Sequence, residues 1–145
     1  MTLEILIAIL FGLLFGSFLN VCIYRLPRDL SVVWPGSHCL DCGHFLAPWD
    51  NIPVVSYLML GGRCRYCRTS IHWRYPLVES ITAFLFGLGV YLWGPTPEAA
   101  KFALFAFLLV GMIFSDLATR LLPDEFAKGG IVLGLLVSLV VPMKM

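Results

Sequence analysis

Apolar residues fall along this chain in long blocks. They show neither the alternation of a half-buried strand nor the narrow stripe of a surface helix. The first block runs from Leu3 to Ile23 and is broken only by Glu4, glycines, Ser17 and Asn20. At about 1.5 Å per residue it crosses a hydrocarbon core of about 30 Å. The second block covers Pro76–Trp93, with Glu79, Ser80 and Thr82 near its start. The third covers Ala99–Ser115, with Lys101 near one end, where its stem can snorkel. The fourth, Gly129–Met143, holds about 15 residues and is short for a span. The pattern predicts an all-α integral membrane protein with about four transmembrane helices. It divides the chain into a first transmembrane helix (1–24), an inserted cysteine-bearing loop (25–75) and further membrane helices (76–145).

Composition sharpens this reading. The chain of 145 residues is 59% apolar and 13% charged, against about 45–50% and about 25% in soluble domains. An ordinary soluble domain, a disordered tail and a basic-patch nucleic-acid binder are excluded. The net charge of +1 decides nothing, but the placement of charge does. Arg25, Arg28, Arg63, Arg65, Arg68 and Arg74 lie between the first two spans, and Arg120 and Lys128 between the last two. The opposite side has only Lys101 and Lys144. The positive-inside rule makes the arginine-rich side cytoplasmic and places the N-terminus outside. Because Arg25 and Arg28 follow the first block and no small-x-small site comes after it, that block reads as a retained span, not a cleaved signal. Gly12-x-x-x-Gly16 and Gly130-x-x-x-Gly134 are small-residue packing patterns, expected to serve contacts within one bundle.

The loop carries four of the five cysteines, as Cys39-x-x-Cys42 and Cys64-x-x-Cys67 separated by 21 residues. Two such turns aim four sulfurs at one point, the arrangement of a tetrahedral zinc site. Two disulfides are the alternative, disfavoured in a reducing cytoplasm. Four thiolates close the coordination shell, so the Zn2+ would be structural and would let a loop with little core fold. Arg63, Arg65 and Arg68 flank the second pair and can offset thiolate charge. His38, His44 and His72 are minor candidates as replacement ligands. Cys22, inside the first span, reads as a packed, inert thiol.

Five polar groups sit at the membrane edge. Asp116 directly follows the third apolar run, where an acid is either functional or a solvated helix end. Pro123 bars a regular helix shortly afterwards, and Asp124 reads first as a cap for the next one. Glu79 could pair with a loop arginine or contact a substrate. Asn20 and Ser17 read as hydrogen-bonding glue between helices.

Taken in order, several segments closely resemble the prepilin peptidase family of membrane aspartyl peptidases. They are Gly16-Ser-Phe-Leu-Asn-Val-Cys-Ile-Tyr-Arg-Leu-Pro27, Pro35-x-Ser37-x-Cys39-x-x-Cys42, and Asn51-Ile-Pro-Val-Val-Ser-Tyr-Leu58. Gly62-Arg-Cys-Arg-Tyr-Cys67, Arg74-Tyr-Pro-Leu-Val-Glu79, and Asp116 followed by Leu122-Pro-Asp124 complete the series. The resemblance implies a multi-pass protein of the bacterial inner membrane with a cytoplasmic zinc loop. It implies cleavage of a basic leader from type IV prepilins or type II secretion pseudopilins, after a glycine, at the cytoplasmic face. It implies methylation of the new N-terminal amine as a further activity, with S-adenosylmethionine as donor. Asp116 matches the first catalytic aspartate, and the Gly62-Arg-Cys64 stretch belongs to the part associated with methylation. Glu79 matches a characteristic position of unassigned role.

The chain also departs from the family pattern. The family's second catalytic aspartate lies in a Gly-x-Gly-Asp motif after a further span, and that motif is absent here. Leu40 stands where proline is common, and Arg68 where glycine is common. The expectation is therefore an incomplete chain, or one whose other half is a separate protein. The alternative is a membrane-anchored zinc module that docks partners or only transfers methyl groups.

Overall fold

The computed structural model describes residues 2–140, and among these it is helical, with no β-strand. Helix α1 spans Thr2–Arg25, α2 Val55–Met59, α3 Arg74–Trp93, α4 Pro97–Thr119 and α5 Asp124–Val140. Single 3-10 turns cover Leu26–Arg28 and Pro48–Asn51. Among the described residues three helices, α1, α3 and α4, are long and apolar enough to cross a membrane. The apolar run expected as a fourth span lies in α5, which starts earlier than the run, at Asp124, and is not among those three helices. The run's last positions, 141–143, lie outside the described residues.

Local chemistry sets the ends of these helices. Gly94, at φ +67°, closes α3, and its N–H donates to Val90 O at 2.8 Å. Thr96 caps α4, accepting Ala99 N–H, and Pro97 takes the first helical position. Arg120 turns left-handed at φ +54° and donates to Asp116 O at 2.7 Å, ending α4. Pro123 then cannot rejoin that helix, as its missing N–H requires. Its carbonyl instead accepts Phe126 N–H at 3.1 Å, opening α5.

The long helices pack antiparallel through glycines. A Cβ added at Gly12 would lie 2.5 Å from Ala83 Cα, and one at Gly16 2.7 Å from Glu79 Cα. Farther along, a Cβ at Gly87 would meet Ile9 Cγ1 at 2.8 Å. Gly12 and Gly16 therefore bring α1 and α3 together within one chain, as the sequence suggested. The second glycine pair behaves differently: Gly134 has open space around it, and the nearest atom to a Cβ at Gly130 would be 3.6 Å away. Its expected packing role is not seen among the described residues.

The core sits at the loop end of the bundle. Leu19, Cys22 and Ile23 of α1 meet Val78, Val110 and Phe126 there. Cys22 is buried, as a packed thiol should be. Outward-facing Leu3, Leu6, Leu10, Leu14 and Phe18 leave a wide apolar surface on α1, the side a membrane helix turns to lipid.

Candidate metal centre and adjoining cavity

Each Cys-x-x-Cys pair lies in a small knuckle of the same design. In the first, Cys39 N–H donates to His44 O at 2.9 Å and Gly43 N–H returns to Cys39 O at 2.9 Å. In the second, Cys64 N–H donates to Thr69 O at 2.9 Å and Arg68 N–H returns to Cys64 O at 3.1 Å. Isolated bridges, His38 with Phe45 and Arg63 with Ser70, close the two. The repeat is too short to stand out in the sequence. The residue after each second cysteine is left-handed, Gly43 at φ +69° and Arg68 at φ +60°. The His44 ring lies over the Tyr66 ring, centroids 3.6 Å apart, and joins the knuckles.

The four sulfurs of Cys39, Cys42, Cys64 and Cys67 all lie within 4.8 Å of one another, and all five cysteines are free thiols. A tetrahedron with Zn–S of about 2.3 Å separates its sulfurs by about 3.8 Å; Cys39 Sγ and Cys67 Sγ are 3.7 Å apart. The donor set fits a divalent metal, and no histidine joins it among the described residues. His38 Nδ1 faces Gly36 O, and His72 Nδ1 accepts Arg74 N–H. Amides of Cys67 and Tyr66 draw the Cys64 thiol down to about 7. Thr69's amide lowers Cys67 too, but desolvation and the crowding sulfurs of Cys39, Cys42 and Cys64 outweigh it and push that thiol up to about 12.

Arg65 has a partner that the sequence reading did not name. It forks onto Asp50, whose side chain is 1% exposed, with contacts of 2.6–3.0 Å. This pair ties the second knuckle to the turn at Pro48–Asn51, and Asp50 holds the Arg65 charge firmly. Sequence reading missed Asp50, because a lone acid in a loop carries no periodic signal.

Glu79 also finds another partner. It accepts Val54 N–H at 2.7 Å, not an arginine. Val54 sits at φ +61°, ψ −48°, and Val55 N–H bonds Pro53 O at 2.6 Å. This is the rare, strained form of γ-turn, and a β-branched residue makes it worse. Buried Glu79 thus clamps a strained loop turn onto α3. Asn20 Nδ2 donates to Tyr75 O at 3.0 Å, the helix-to-helix glue expected of it.

Between α1, α3 and the loop lies a cavity of about 750 Å³. Asn20, Arg25, Cys64, Arg74 and Glu79 all contribute to its wall. Asp116 does not. Its carboxylate is exposed at the end of α4, at the bundle end that carries the loop. Asp124 lies in the first turn of α5 and pairs with Lys128.

Residues 10–93 match the family model described as Bacterial Peptidase A24 N-terminal domain. A prepilin leader peptidase/N-methyltransferase of Pseudomonas aeruginosa is 39% identical, over 92% of this chain and 54% of that protein. Its namesake in Myxococcus xanthus is 43% identical, over 92% of this chain and 39% of that protein. A type 4 prepilin-like proteins leader peptide-processing enzyme of Escherichia coli is 37% identical, over 88% of this chain and 54% of that protein. The chain spans about half the length of the curated relatives it matches. No solved structure matches it.

Proposed function

The chain belongs to the bacterial Peptidase A24 N-terminal domain family, and from that membership we propose that it processes prepilin-like proteins at the bacterial inner membrane. In this reading the loop is cytoplasmic and the N-terminus lies outside. The substrate is a type IV prepilin or type II secretion pseudopilin, cut after a glycine. Asp116 supplies one of two catalytic carboxyls. The observation that carries this is its exposed position at the loop end of a span-length helix, where a substrate's own membrane helix would meet water. One carboxyl activates water while the other protonates the scissile carbonyl. The second carboxyl is assigned to the part of the relatives' length that this chain does not match. Asp116→Asn, tested in the full reading frame, should cut leader cleavage by at least about 10³-fold with the metal still bound. Unchanged cleavage would remove Asp116 from the mechanism.

The four sulfurs are assigned a structural Zn2+, which holds the knuckles together and takes no part in hydrolysis. The freed N-terminal amine is then methylated, with S-adenosylmethionine as donor. When bound, the donor would supply an electrophilic sulfonium methyl to that amine. A second reading, a zinc-bearing docking or methyltransferase-only protein, draws on the separation of the cavity from Asp116. An Asp116→Asn protein that still methylates a pre-cleaved pilin peptide would show the two chemistries to be separable. Concerted loss of both would sink the methyltransferase-only reading.

A further inference from the structure

The cavity beside the knuckles is bordered by charged groups with no ion-pair partner among the described residues. Arg25 is 8% exposed, and its guanidinium donates only to carbonyls, Ser31 O at 2.9 Å and Gly36 O at 3.3 Å. Arg74, at the facing start of α3, has a buried Nε with no acceptor. Among the described residues no carboxylate comes within ion-pairing range of either arginine. Glu79, 8% exposed, accepts Val54 N–H and side-chain hydrogen bonds from Ser17 and Asn20, but has no cationic partner among the described residues. Asn20, 2% exposed, has an Oδ1 with no donor. Buried charge without a counter-charge is costly. Here two guanidiniums, a carboxylate and an orphaned carbonyl oxygen all border one space. Together they complement a zwitterion: donors for a carboxylate, acceptors for an ammonium.

We propose that this cavity is the seat of S-adenosylmethionine, with Arg74 and Arg25 taking its α-carboxylate and Glu79 with Asn20 Oδ1 taking its α-ammonium. The assignment rests on the methyltransferase reading above and adds the residues that would carry it. About 750 Å³ lies within the usual range for small-molecule sites, about 300–1,000 Å³. Tyr24, Tyr57 and Tyr75 also line the space and offer flat faces to a heterocycle. The cavity reaches Cys64 and Arg65, so the metal-held knuckle forms part of its wall.

The test compares two probes that differ in the amino-acid end. S-adenosylhomocysteine carries it, and 5′-methylthioadenosine does not. Binding is measured by calorimetry on the full reading frame in lipid nanodiscs. The wild type should favour S-adenosylhomocysteine by at least about tenfold, or about 1.4 kcal/mol. Arg74→Met should bring the ratio close to one, with 5′-methylthioadenosine affinity and metal content unchanged. Arg74→Met gives up the guanidinium's place over the Tyr75 ring, 5.4 Å from its centroid, but no hydrogen bond at Nε, so unchanged 5′-methylthioadenosine affinity and metal content separate lost recognition from lost folding. Glu79→Gln should lower the ratio as well. If the ratio survives in Arg74→Met, the cavity assignment is overturned while the methyltransferase reading stands. A ratio set by phosphatidylethanolamine in the nanodisc would overturn it in favour of a lipid headgroup. A wild type that binds neither probe and methylates no cleaved pilin peptide would defeat both readings.

Discussion

The α1–α3 seam and the twin-knuckle loop adjoin each other but are held by opposite means. At the seam, glycines let backbone meet backbone, and Gly12 and Gly16 leave no room for a Cβ. In the loop, Trp34, Trp49, Leu58 and Met59 are exposed, and little apolar surface is buried. Turns, the Asp50–Arg65 fork and four convergent sulfurs do the holding instead. A seam packed by shape needs no ligand, whereas a loop lacking a core needs a metal. The two should therefore fail independently, except where Glu79 joins them.

The largest expected effect is at the seam. Gly16→Leu would drive a side chain into Glu79 Cα and should separate α1 from α3, costing about 3 kcal/mol or more. Gly134→Leu, which faces open space, should change little. Thermal unfolding in nanodiscs reads both, and equal effects would refute the packing asymmetry.

Metal removal should break the loop and spare the seam. One metal per chain should be lost in Cys39→Ser with Cys64→Ser, while helical circular dichroism is retained. Metal affinity should weaken as pH falls, because protons compete for the sulfurs. The decline should steepen below the Cys64 value of about 7, where that thiol also holds its proton. The proton on Cys67, at about 12, must be displaced at every working pH. Metal-dye competition between pH 6 and 8 measures the slope, and a flat profile would argue against thiolate ligation.

Glu79→Ala tests the join. It strands the Val54 N–H and removes the clamp on the strained turn, at a cost of about 1–3 kcal/mol. Hydrogen exchange at Val54 and its neighbours should accelerate, with α4 unaffected. Unaltered exchange there would mean that the turn holds itself.

How much of this was legible in the sequence follows the same division. The span-length helices were visible as apolar blocks, and the sulfur cluster as a spacing, since both are signals carried by residue type alone. Which faces of α1 and α3 meet was only partly legible. A helix apolar all round has no stripe to point with, and only the small residues Gly12 and Gly16 marked the contact. The same small-xxx-small pattern at Gly130 and Gly134 meets no close approach among the described residues. The Asp50–Arg65 fork, the Val54 turn and Glu79's actual partner were illegible, because each depends on where an aperiodic loop brings its backbone. The catalytic role proposed for Asp116 rests on resemblance. The structure adds its exposure and its separation from the cavity.

The smallest effect sharpens the comparison inside the loop itself. The two knuckles share their hydrogen bonds but differ at the left-handed position, Gly43 in one and Arg68 in the other. A side chain at positive φ costs roughly 1–2 kcal/mol, and glycine gives back part of that as unfolded-chain entropy. Arg68→Gly should therefore stabilise the second knuckle by roughly 0.5–1 kcal/mol, with Gly43→Arg costing a similar amount in the first. Because four sulfurs must converge, either change should register as a severalfold shift in the rate of metal loss to a chelator. Slower loss is expected for Arg68→Gly and faster loss for Gly43→Arg. Equal and unchanged rates would mean that backbone strain at the knuckles is borne by the metal and not by the loop.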